Sequence, residues 1–499
     1  MKQTQHSTSN LQHPTPNTQW SREGKALDVR GRMLNVGCFP TSRCKASVLV
    51  GLLWCVALLS VVVFGVLHTT WMDLIMVKNY GDRIQAHYLA LAGIEKAKAL
   101  LYQDALSRSR SDVNHDGALY NDSQDFQDVA FGRGEFTVFR RGRQDEGGGI
   151  LYGVSDEESR LNLNAAATNE LLQLPGMTPV VAAAIVDWRD ADNDVSPGGA
   201  EAPYYASLQP PRQPRNGPFE TVRELLMVRG VTSSLLFGDD AHQNGFLPSA
   251  AMARNDFSDA AFHSSDVDSG WAGIVTVDSS INNVSASGQT RVNIQSADEA
   301  ALTAVPGITP EIARAIVAYR GQHPYQSIAD LLDVTAPTRS QPQNQAAPQS
   351  SGNQGPNTPN AAQGQSAGPE VINQNLLMDI ADSLTANSGQ NLPGAIDLNT
   401  ASRDVLACLP GLDPQLAQAI ISYRQSSGFF RNVADLLKVS GMTREIFKQV
   451  APLVSARSET YRILCEGMVN STGVRQRIQI IVHVGLQDVT TLSYREDNL

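Results

Sequence analysis

The chain is short of cysteine, aromatic side chains and positive charge, and each shortage removes a class of function. Five cysteines in 499 residues (Cys38, Cys44, Cys55, Cys408, Cys465) are too few for a disulfide framework. None is spaced C-x-x-C, which argues against a cysteine-built zinc site. Lysine and arginine total 39 against 50 acidic residues, a net charge of −11, so the basic stripe of a nucleic-acid binder is not expected. No P-loop, H-E-x-x-H or G-x-S-x-G occurs, and His87, His115 and His323 are scattered without a nucleophile–base spacing. A hydrolase therefore starts without a motif. Aromatics reach only 6% beside 39 glycines and 25 prolines, which signals long loops, while 42% hydrophobic content still allows several cores. At about 100–200 residues per domain, the length predicts two to four domains.

A long apolar run is the first feature present. Residues 46–67 (ASVLVGLLWCVALLSVVVFGVL) contain no charge. As a helix they span about 33 Å, against a hydrocarbon core of roughly 30 Å. The 45 residues before the run carry seven Lys/Arg, and only Lys78 and Arg83 follow within 20 residues. That bias predicts a cytoplasmic N-terminus with the bulk of the chain across the membrane. Apolar residues Leu74, Val77, Ile84, Tyr88, Leu91, Ile94 and Leu101 then mark one helical face, with Gly81 and Gly93 as weak points. No proline lies between 46 and 106, so one helix of roughly 60 residues is expected.

Three segments repeat beyond it: LNLNAAATNELLQLPGMTPVVAAAIVDWR (161–189), VNIQSADEAALTAVPGITPEIARAIVAYR (292–320) and IDLNTASRDVLACLPGLDPQLAQAIISYR (396–424). Each reads as helix, Pro-Gly turn, helix, with turns at Pro175-Gly176, Pro306-Gly307 and Pro410-Gly411. Thr178, Thr309 and Asp413 are placed as N-caps before a proline at the first helical position. A third helix is expected after each, at 219–230, 325–334 and 430–441. The pattern resembles helix-hairpin-helix domains. Where those hairpins grip a DNA phosphate through a Gly-h-Gly turn, Thr178, Thr309 and Asp413 replace the second glycine here. Residues 291–334 hold three basic against five acidic side chains and 395–455 hold six against five, so phosphate neutralisation is weak and protein packing is the expected role. Strands are expected at 131–141, 149–158, 273–280, 461–469, 474–485 and 490–496, and 335–370 reads as a low-complexity insert.

Two acidic loops stand out. Asp187, Asp190, Asp192, Asp194 and Glu201 crowd a segment that also holds Pro197, Gly198 and Gly199. Several carboxylates around one turn suit a hard cation with six to eight oxygen ligands, and calcium is the expected ion outside the cytoplasm. A second loop, DVNHDGALYNDS (112–123), opens like an EF-hand with Asp112, Asn114 and Asp116 before Gly117, but closes on Ser123 instead of an acid.

The membrane helix running on through KNYGDRIQAHYLALAGIEKAKALL, then DEESRLNLNAA, LPGM, DWRDAD…GGAEAPYY and NGPFETVRELLMVRGV, together resemble a bacterial type II secretion minor pseudopilin K. The resemblance implies a membrane-anchored α+β fold: a long N-terminal transmembrane helix on a pilin-like antiparallel sheet, with inserted all-α helix-hairpin-helix (SAM-like) modules. The corresponding division is a leader at 1–45, the span at 46–68, its periplasmic continuation at 69–110, and an acidic loop with the first strands at 111–160. The first module follows at 161–250, the second with its strand at 270–334, the insert at 335–370, the third module at 371–455 and closing strands at 456–499. The resemblance also implies a non-enzymatic subunit at the tip of the periplasmic pseudopilus, initiating its assembly. Its implied partners are minor pseudopilins I and J, the major pseudopilin, the inner-membrane assembly platform and a prepilin peptidase, with exported proteins or the secretin as further contacts. The implied processing junction is Ala46–Ser47, with alanine where glycine is usual, and the fifth residue after it is Gly51 where most pseudopilins carry glutamate. Calcium binding in the inserted domain is likewise implied, at the 187–201 loop. The alternative is a membrane-anchored helix-hairpin-helix DNA receptor of the competence type.

Overall fold

The computed structural model describes residues 46–111, 117–238, 240, 270–336 and 369–497. The expected leader 1–45, the second-loop candidates Asp112, Asn114 and Asp116, and most of the 335–370 insert lie outside the described residues.

Two units divide at Asp73/Leu74. The first contributes the apolar stretch of the helix Ala46–Ser111, in which every side chain from Val48 to Asp73 is exposed. Among the described residues this is the one helix long and apolar enough to cross a membrane.

In the second unit the same helix is half-buried. Ala86, Leu89, Ala90, Ile94, Ala97, Leu101 and Ala105 are buried at helical spacing; of the face expected from sequence only Ile94 and Leu101 belong to this stripe, Leu91 is half-buried, and Leu74, Val77, Ile84 and Tyr88 are exposed. They cover one face of an antiparallel sheet ordered Val129–Phe131, Gly134–Val138, Thr460–Val469, Arg475–Val484, Val489–Asp497, with Ser155–Asp156 also pairing on Thr460–Val469. Alternate residues Ile463, Cys465, Ile478, Ile480 and Val482 face the helix, joined by Phe136 and Val138. The three C-terminal strands lie within one residue of the expected ranges 461–469, 474–485 and 490–496. The N-terminal pair does not: the chain reverses at Gly132 (φ 63°), pairing Val129–Phe131 with Gly134–Val138. A positive φ at Gly132 makes that tight turn available before the Gly-rich stretch is reached, and Arg140–Arg141 then forms a separate ribbon with Ile150–Leu151.

Each repeat is a closed module. Leu161–Asn162 pairs in parallel with Val275–Thr276, Val292–Asn293 with Leu384–Thr385, and Ile396–Asp397 with Val454–Ser455. A parallel pair needs a long crossover, and here the whole helical module is that crossover. The domain boundaries read from sequence therefore shift. Val275–Thr276 closes the first module instead of opening the second, and the helix Gln374–Ile380 belongs to the second module rather than the third. The third helix of each repeat is a tighter 3₁₀ segment: Val222–Met227, Ile328–Asp333 and Val433–Lys438.

The terminal arginine of each repeat explains its recurrence. Arg424 donates to the carbonyls of Leu398 (2.9 Å) and Ala401 (2.8 Å) and to Asp145 Oδ2 (2.7 Å). Arg189 reaches Leu163 and Ala166, and Arg320 reaches Ile294 and Ala297, in the same way. Each clamps the second helix of its hairpin to the turn that starts the module. Arg424→Met is expected to cost about 2–4 kcal/mol, because it strands two buried carbonyls and a carboxylate. Denaturant unfolding of the full chain in detergent reads this, and the more exposed Arg320→Met should cost less.

Candidate metal centre and hairpin turns

The helix Pro179–Arg189 carries Asp187 on its buried side, and Asp190 caps its end. Glu201 stands before the helix Ala202–Ala206, which Trp188 and Tyr205 lock against the first helix, ring centroids 5.0 Å apart. The intervening loop thus folds back and brings one carboxylate oxygen each from Asp187, Asp190 and Glu201 within 4.8 Å of one another. Asp187 and Glu201 are fully buried. Asp187 accepts the backbone N–H of Ser196 (3.2 Å). Gly199 lies against it so closely that a Cβ would fall 2.0 Å from Asp187 Oδ2, so only glycine leaves the carboxylate its room.

Neither oxygen of Glu201 nor Oδ1 of Asp190 has a hydrogen-bond partner, although all three atoms are buried. Among the described residues no lysine or arginine makes an ion pair with any of the three acids. Burial, followed by the charges of Asp187 and Asp190, pushes the Glu201 carboxyl upward. Burial, followed by Asp192 and Asp187, does the same to Asp190. Unpaired buried carboxylates are costly, and a hard divalent cation is the species that would satisfy all of them at once. Asp192 and Asp194 are exposed and stand outside this group; Asp192 Oδ1 instead accepts the backbone N–H of Asp194 (2.8 Å).

The hairpin turns are occupied by the protein's own groups. Gly176, Gly307 and Gly411 take φ values of 71°, 96° and 77°, and the N-caps Thr178, Thr309 and Asp413 accept N–H groups of Val181, Ile312 and Leu416. Sequence reasoning missed a second hairpin in the first and third modules. There Gly230 and Gly441 (φ 82° and 91°) turn into the helices Ser233–Phe237 and Arg444–Val450, capped by Thr232 and Thr443. The signal was a Gly-h-Thr triplet, repeated at 230–232 and 441–443. Capped in this way, the helix N-termini have fewer free N–H groups for a phosphate. Cys408 and Cys465 are free and buried, and burial pushes the Cys408 thiol up to about 12, so neither offers a thiolate nucleophile.

Ala46 opens the long helix, placing the implied junction at its start. Gly51 is exposed within it, and a Cβ there meets nothing within 4 Å.

Residues 151–237 match the family described as type II secretion system (T2SS), protein K, and residues 287–336 and 394–455 match the helix-hairpin-helix motif. The chain is 28% identical over 172 residues, 34% of its length, to an endonuclease/exonuclease/phosphatase family domain-containing protein 1 of Rattus norvegicus, and it spans only 28% of that relative. It is 32% identical over 62 residues to ComE operon protein 1 of Bacillus subtilis, covering 12% of this chain and 30% of that one. A chain in the GspK-GspI-GspJ complex of enterotoxigenic Escherichia coli aligns over 83% of this chain and 98% of its own, at 12% identity and a TM-score of 0.34. Over residues 151–237 the chain is thus similar to type II secretion system protein K, and over 287–336 and 394–455 to helix-hairpin-helix proteins.

Proposed function

We propose that the chain is a non-enzymatic minor pseudopilin at the tip of the periplasmic pseudopilus, where it initiates assembly and supports export across the outer membrane. The observation that carries this reading is the protein K domain at 151–237, held in a chain whose apolar helix runs directly into an antiparallel sheet. The exposed stretch 48–73 is the part offered to a bilayer and to other pilin helices, in the inner membrane with the N-terminus cytoplasmic. Minor pseudopilins I and J are the nearest partners in this reading, with the major pseudopilin below them. The assembly platform and prepilin peptidase act on the same helix, and exported proteins or the secretin meet the modules. Gly51 suits a terminal position, since a glutamate there would bring an unpaired charge into apolar surroundings. Deleting the chain in its host is expected to stop release of exported proteins while their passage into the periplasm continues. Unchanged release would overturn the proposal.

Calcium is the proposed ligand of Asp187, Asp190 and Glu201, where it would neutralise the buried carboxylates and pin the 190–201 loop. Calcium at about 100 times its Kd should stabilise the full chain by about 2.7 kcal/mol, and a chelator should reverse the gain. Glu201→Gln should abolish the calcium-dependent rise in melting temperature; an equal rise in that variant would exclude the site. The DNA-receptor reading is not favoured, because the hairpin turns are self-capped and the modules carry at most one basic residue in excess.

A further inference from the structure

Asp156, Glu157 and Glu158 are consecutive and buried, and each ties the sheet to a different part of the fold. Glu157 is paired conventionally with Arg462 (2.6 Å) and Arg160 (3.3 Å) and accepts the hydroxyl of Thr276 from the first module. Its neighbours are not. Among the described residues no lysine or arginine forms an ion pair with Asp156, Glu158 or the nearby buried Asp397. Asp156 accepts the Glu158 N–H (2.8 Å) and meets the hydroxyls of Thr400 and Ser458. Glu158 accepts the N–H groups of Thr460 (3.1 Å) and Ser280 (3.2 Å). Asp397 opens the third module, where its Oδ1 accepts the Asn399 N–H (3.0 Å) and its backbone N–H donates to the Glu158 carbonyl (2.9 Å).

Counting hydrogens shows what this arrangement needs. Ser458 Oγ has one hydrogen but lies within bonding distance of two carboxyl oxygens, on Asp156 and on Glu158 (2.6 Å). Thr400 Oγ1 likewise meets both Asp156 and Asp397 (3.2 Å) with one hydrogen. In each bridge the second contact is attractive only if a carboxyl supplies the missing proton. We propose that Asp156, Glu158 and Asp397 form a proton-held joint between the pilin-like sheet and the third module. Two carboxyl protons shared through Ser458 and Thr400 close the joint, and alkaline pH loosens it by removing them.

The surroundings leave the protons in place. Facing the cluster are Tyr120, Tyr461, Arg108 and Asp104 from the anchor-helix side, and Arg160 beside the Glu157–Arg462 pair. On the third-module side stands Arg424, whose charge is engaged by Asp145. Burial, then the neighbouring Asp156, raises both Glu158 and Asp397, the latter to about 8. A raised folded pKa means the native chain holds more protons than the unfolded chain. The stabilisation is therefore complete at acid pH and disappears as pH rises through about 8.

Infrared spectroscopy of the full chain in detergent tests the protons directly. A protonated-carboxyl carbonyl band is expected at neutral pH, weakened in Asp397→Asn, whose amide supplies the donor permanently. The unfolding midpoint of the native chain should fall between about pH 4 and about pH 8 and level off above, and Asp397→Asn should lose about half of that slope. Absence of the band from the native chain, or the same slope in native and variant chains, would overturn the joint.

Discussion

Gly467→Val should lose at least about 3 kcal/mol, the upper end of the cost of overpacking, and release the anchor helix from its sheet. A Cβ at Gly467 would fall 2.2 Å from the Ala86 carbonyl oxygen and 2.5 Å from the Ala90 nitrogen. Both are backbone atoms of a helix and cannot rotate aside, so helix and sheet must separate. The buried stripe from Ala86 to Ala105 would then be exposed together with the sheet face that holds Ile463, Ile478 and Ile480. Gly93→Val should behave similarly, since its Cβ would lie 2.4 Å from Cys465 Sγ and 2.6 Å from Phe136 Cδ2. Gly81→Ala is the control: its Cβ meets nothing within 4 Å, so only helix propensity acts and stability should rise by up to about 1 kcal/mol. Denaturant unfolding and protease cleavage after residue 111 distinguish these outcomes. Equal stability of Gly467→Val and the native chain would mean that the helix does not dock on the sheet as described.

The second large effect is expected at Glu157. Its carboxylate is fully buried between Arg462 and Arg160 and also accepts the Thr276 hydroxyl. Burial alone would raise its pKa, but the two arginines outweigh burial and hold it below the usual carboxylate range. Glu157→Gln leaves two guanidiniums facing each other without their anion, a loss of about 3–5 kcal/mol. Because the folded pKa is depressed, this stabilisation is present above the ordinary glutamate pKa and is lost as pH falls through the folded value. The acid limb of the native chain should therefore flatten in Glu157→Gln. An unchanged acid limb would show that the pair contributes little.

Much of this architecture is legible in the residues, for identifiable reasons. The anchor helix announces itself through 22 uncharged positions and a proline-free continuation. The hairpins do so through Pro-Gly turns followed by a cap and a second proline, and the three C-terminal strands through successive runs rich in β-branched residues. The acidic loop was readable as a carboxylate cluster, but not its membership. Asp187 and Glu201 face inward because their helices pack through Trp188 and Tyr205, whereas Asp192 and Asp194 lie on the outer turn. The closing strands of the modules are two residues long, too short to carry a period, and pair with partners up to 114 positions away. Gly93 reads as a weak point in a helix because sequence shows the missing side chain and not the sheet that needs its absence. The three acids at 156–158 look like a solvated run until the fold buries them.

Membership of a pseudopilus is tested most directly by what the chain touches in its own membrane. Cross-linking in intact cells, purification of the full chain from membranes and mass spectrometry of the products should recover minor pseudopilins I and J. The cross-links should map to the exposed helix and the modules. Recovery of DNA-uptake components with no pseudopilin among the products would contradict the account.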